Sequence, residues 1–84
     1  MPTLLRIGKY RFFFYANENE EPPHVHIRAG ENEAKYWVEP LDLVVNYGFN
    51  GKDLKQIERH LIDNKHYILE MWMDFFGSYD DDDE

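Results

Sequence analysis

Eighty-four residues that are 43% apolar, 17% aromatic and 31% charged describe one domain with a small, ring-rich core. No cysteine is present, which excludes disulfides, thiolate metal sites and cysteine catalysis. No apolar run approaches the roughly 18 residues of a membrane span. The opening Met-Pro-Thr-Leu-Leu-Arg-Ile-Gly lacks the apolar stretch of a secretory leader. The expectation is a cytoplasmic protein with no membrane association.

Residues 4–7 form a short apolar run that ends at Gly8-Lys9, a tight-turn pair. Residues 10–15, Tyr-Arg-Phe-Phe-Phe-Tyr, are strand formers with apolar side chains on both faces. The polar stretch 16–21 reads as a loop, and Pro22-Pro23 then holds the backbone extended. Residues 24–29 follow as a strand, residues 30–32 as a turn and residues 34–39 as the next strand, closed by Pro40. Residues 41–47, ending at Gly48, read as a fifth strand. The period then changes. Asn50 or Gly51 caps a helix with Asp53 in its first turn. Leu54, Ile57 and Leu61 form one stripe, resumed by Ile68, Trp72 and Phe75.

These signals predict an α+β fold over residues 1–77: a four- or five-stranded, mainly antiparallel sheet followed by one long or kinked helix from Lys52 to Phe76. Such a helix outruns strands of about 20 Å. Its last turns are apolar nearly all round, so Tyr67, Met71, Trp72, Phe75 and Phe76 are candidates for contact with a partner or a second copy.

Seventeen acids against nine bases give a net charge of −8, and five of the acids form the run at residues 80–84. Residues 78–84 therefore read as a solvated, disordered acidic tail. The alternative is a segment that occupies a basic surface, on this chain or on a partner. The bases are scattered, so nucleic acid is not expected as a direct strong ligand.

The candidate chemistry lies in Glu20-Glu21-Pro22-Pro23-His24-Val25-His26-Ile27. Residues two apart on a strand share a face, so His24 and His26 present two imidazoles side by side, with Val25 and Ile27 toward the core. Arg28 has the same parity, and Lys35 lies on the neighbouring strand. Two imidazoles can act as acid and base on a phosphodiester while Lys35 or Arg28 stabilises the developing charge. This is the pattern of a small, metal-independent ribonuclease. A metal site needs a third ligand, and nothing in the sequence selects one among Glu20, Glu21 and Glu39. No metal and no cofactor are expected. The structural reading is that both rings stack on neighbouring aromatics and bind carboxylates. His60 and His66 read as solvent-facing, and Trp37 and Trp72 as core aromatics.

Several motifs follow one another in order: Met-Pro-Thr-Leu at the start, Gly8, Phe12-Phe13-Phe14-Tyr15, Glu21-Pro22-Pro23-His24-Val25-His26, Ala34-Lys35-Tyr36-Trp37-Val38-Glu39-Pro40, Gly48-Phe49-Asn50, and Trp72 with Phe75-Phe76-Gly77. Over residues 1–77 the chain resembles the small bacterial family catalogued as domain of unknown function 4160. The resemblance implies an interaction component of a two-gene, toxin–antitoxin-like module, whose partner is a small protein encoded nearby. His24, His26, Lys35 and Glu39 stand at its signature positions. It transfers no catalytic role. A ribonuclease toxin and an acidic nucleic-acid mimic remain the alternatives.

Overall fold

The structure is a computed structural model in which residues 3–15 and 20–77 are described. The acidic run at 80–84 lies outside the described residues. Five strands, β1 (Thr3–Ile7), β2 (Tyr10–Phe13), β3 (His24–Ala29), β4 (Asn32–Val38) and β5 (Leu41–Tyr47), form one antiparallel sheet in the order of the sequence. Two-residue turns at Gly8-Lys9 and Gly30-Glu31 join β1 to β2 and β3 to β4. Both glycines have positive φ, 58° and 63°, as tight hairpins require. The two outer strands are irregular. β1 carries an extra residue, Leu4, between its partners to Phe13 and Phe12, and β5 carries Val44 between its partners to Lys35 and Tyr36.

The expected single helix is two. Helix α1 (Gly51–Asp63) and helix α2 (Lys65–Phe76) meet at Asn64, which leaves helical geometry at φ −115° and ψ 17°. Both the backbone N–H and the side-chain amide of Asn64 donate to the His60 carbonyl, at 3.0 and 2.8 Å. A short amide that binds the turn below it competes with helix continuation, and neither Gly nor Pro is needed to end the segment. α1 begins at Asn50, whose side chain accepts from the Asp53 N–H at 2.8 Å.

One face of the sheet packs on the helices. Phe12, Val25, Ile27, Ala34, Tyr36 and Val38 meet Ile57 and Leu61 of α1 and Ile68 and Trp72 of α2. Tyrosine hydroxyls tie the layers together at the rim. Tyr10 donates within 2.7 Å of Asp53 and 2.9 Å of Gln56, Tyr36 donates to Glu58 at 2.8 Å, and Tyr67 of α2 donates to the Leu4 carbonyl at 3.0 Å. His60 also joins this layer. It is half-buried, with its ring 6.2 Å from Phe12 and 6.0 Å from Tyr10, so the expectation that it faces solvent is corrected. His66 is exposed. Among the described residues, no helix is long and apolar enough to cross a membrane.

Candidate functional site

The sheet face turned away from the helices is set by register. The Gly30-Glu31 turn pairs Arg28 with Glu33, His26 with Lys35 and His24 with Trp37. The β2–β3 ladder adds Phe13 opposite His26 and Arg11 opposite Arg28. His24 and His26 therefore lie side by side, with ring centroids 5.4 Å apart and planes at 81°. Val25 and Ile27 point into the core, as the alternation requires.

The rings are not presented to solvent. His24 is 0% exposed and His26 6%. His24 is enclosed by Trp37 at 5.7 Å and by Trp72 at 5.0 Å, so it stands at the rim where the core layer meets the open face. His26 stacks on Phe13 at 5.6 Å with planes 26° apart, and meets the edge of Tyr15 at 4.5 Å. The Arg11 guanidinium covers Phe13 at 4.5 Å, which adds a cation–π contact and seals that ring.

Two carboxylates organise the charges. Glu21 accepts from Lys35 Nζ at 2.8 Å and lies 3.6 Å from His24 Nδ1. Glu33 accepts from Arg28 at 2.8 Å and from the Tyr15 hydroxyl at 3.0 Å, and lies 3.7 Å from His26 Nδ1. His24 Nδ1 is 2.9 Å from the Pro22 carbonyl. A carbonyl only accepts, so Nδ1 carries the proton and donates to it. The Pro22-Pro23 segment thus extends the strand start and also fixes a tautomer. Among the described residues, no group of three His, Asp or Glu side chains is placed to hold a metal ion.

All four candidates for chemistry, His24, His26, Lys35 and Arg28, share one face, yet each cation is already engaged by a glutamate. The residues not foreseen from sequence are Glu33 and Tyr15. The turn expected over residues 30–32 is shorter by one residue, and the two-residue turn at Gly30-Glu31 dictates the Arg28–Glu33 pair. Trp37 is half-buried on this face, with Lys35 Nζ 5.0 Å from its ring, and is not part of the core.

The candidates for partner contact divide. Trp72 is the core aromatic expected and not a partner contact: it is 1% exposed, enclosed by Phe14, His24 and Phe76. Met71 and Phe76 pack partly against the core. Tyr67 and Phe75 stay exposed, and Met73 and Ile62, which the stripe did not flag, join them. A shallow depression of about 250 Å³ beside Met73 is lined by His66, Leu69 and Glu70.

Fold and site together define a small α+β protein: an antiparallel meander whose open face holds an enclosed histidine pair braced by two glutamates. The chain belongs to the family described as domain of unknown function (DUF4160), which matches residues 10–73. No curated protein and no solved structure matches it.

Proposed function

We propose that this protein is an interaction component of a two-gene, toxin–antitoxin-like module, docking a small protein partner through exposed apolar side chains of α2. The carrying observation is that Tyr67, Met73 and Phe75 remain more than 40% exposed on a short helix already anchored by Ile68 and Trp72. Large apolar side chains left exposed on the flanks of a packed helix favour a protein ligand. Family membership supports the reading through the paired-gene arrangement that the resemblance implies. The test is co-expression with the product of the adjacent gene. The two proteins co-purify, and Met73→Asp with Phe75→Asp abolishes this without changing the far-UV circular dichroism. A protein that elutes as a monomer beside its neighbour's product defeats the proposal.

The adjacency of His24 and His26, with Lys35 and Arg28 on the same face, favours ribonuclease chemistry as a second reading. It requires an imidazole within hydrogen-bond reach of substrate. Enclosure of both rings weighs against it. Cleavage of RNA by the purified protein, lost in His26→Gln, would reverse the order of the two readings.

A further inference from the structure

Arg6, Arg11 and Arg28 stand directly opposite one another on three neighbouring strands. Cross-strand partners have Cβ atoms about 5 Å apart, a spacing at which like charges destabilise a sheet. The row continues onto β4 at Glu33, whose carboxylate binds Arg28. Arg11 donates from Nε to the Thr3 hydroxyl at 2.9 Å. Among the described residues, no carboxylate pairs with Arg6 or Arg11. Of the three guanidinium groups only Arg28 has a carboxylate partner among the described residues, in a chain whose net charge is −8.

We infer that this row is the binding site of the chain's own acidic segment, residues 80–84. Five consecutive carboxylates are the chemistry it lacks, and the arginine fork matches a carboxylate in geometry as well as in charge. The distal part of the tether has the required length. α2 ends at Phe76, whose ring lies 5.8 Å from Phe14, one residue beyond β2. His24 joins the two sides of the rim, touching Trp72 of α2 and His26 of the open face. Along β2, Arg11 is about 10 Å from Phe14. From Gly77 an extended chain spans about 10 Å to Asp80 and about 24 Å to Glu84. That length lets the distal carboxylates reach the open face. Glu21, Glu33 and Asp42 at the β4–β5 side repel the segment, which directs it to the β1–β3 half. Tethering supplies a millimolar effective concentration, so individually weak exposed pairs suffice. The other cationic cluster, Lys55 and Arg59 beside His60, belongs to the helix layer, off this path.

The test compares the full chain with a full-length variant neutralised at the segment (Asp80→Asn, Asp81→Asn, Asp82→Asn, Asp83→Asn, Glu84→Gln). The probe is a labelled peptide of residues 77–84. At low salt the peptide binds the neutralised variant saturably and the wild type about fivefold or more weakly, because the wild-type site is filled by a tethered competitor. Adding Arg6→Gln and Arg11→Gln to the neutralised variant removes binding, as does salt of about 0.5 M, where screening shortens to a few ångströms. Independently of the arginine variants, neutralising the segment shifts the amide resonances of Arg6, Arg11 and Arg28 more than those of Lys55 and Arg59. Equal peptide binding by wild type and neutralised variant overturns the inference. So do retention of binding without the two arginines and resonance shifts confined to α1. Tight capture of a single-stranded oligonucleotide by the wild type also overturns it, since the row would then be an open nucleic-acid platform.

Discussion

At Gly48 the backbone turns with φ +101°, and a Cβ there would overlap the Asn32 side chain. Gly48→Ala combines left-handed strain with a steric clash. It is expected to lower stability by about 1–3 kcal/mol, read as a drop in the urea midpoint at unchanged slope. His24 is the second residue whose environment speaks directly. An imidazole held by Pro22, Trp37 and Trp72 is part of the packing, so His24→Ala should cost about 2–4 kcal/mol, as for other buried rings and large side chains. If thermal melting of that variant matched the wild type, the structural role assigned to the ring would be wrong. Tyr36→Phe removes the donor to Glu58 and leaves a partly buried carboxylate short of a partner. The expected loss is about 1–2 kcal/mol in the same assay.

Among the elements, the strands were legible because their ends are written in Gly and Pro. Gly8, Gly30 and Pro40 each fall in a turn where a ladder stops. Hairpin turns of two residues also fix register, but the turn expected over residues 30–32 is one residue too long, so the Arg28–Glu33 and His26–Lys35 pairs emerge only with the turn at Gly30-Glu31. The parity that put His24 and His26 together was readable, because residues two apart on a strand share a face. The enclosure of His24 was not, because it depends on Trp72 arriving from a helix about 50 residues away, a contact with no local signature. The split at Asn64 was only half legible: the apolar stripe pauses at the polar residues 64–66 and then resumes, and the side-chain hydrogen bond that ends α1 leaves no mark on periodicity. The start of α1 was marked by Asn50. Asn50→Ala should reduce stability by about 1 kcal/mol, and amide exchange should quicken first in residues 51–54.

For the molecule as a whole, the hydroxyls that tie sheet to helix make stability depend on pH at both extremes. Burial, with the hydrogen bond to Asp53, pushes the Tyr10 hydroxyl up to about 12 from an ordinary 10. Burial and Glu58 raise Tyr36 in the same direction. In this window the unfolded chain ionises first and binds fewer protons than the folded one, so stability is full below pH 10 and declines toward pH 12. The melting temperature should fall across that interval, and Tyr10→Phe should remove part of the fall. At the acid end the hydrogen bond from Tyr10, then Lys9, holds the Asp53 carboxyl below its ordinary 3.8. That contribution is present above 3.8 and is lost as pH drops through the lower folded value.

The extra residues in β1 and β5 bear on how this protein behaves in a crowd. An open sheet has two rows of unpaired backbone groups, and each invites a neighbouring chain to add itself as a further strand. Here both border strands are the ones that break step, at Leu4 and at Val44. A stranger aligned with either border loses register after a few residues, so runaway fibre growth is blocked by geometry alone. Deleting Val44 would straighten that border, and the altered protein should form fibrils that bind amyloid dyes at concentrations where the parent stays dispersed.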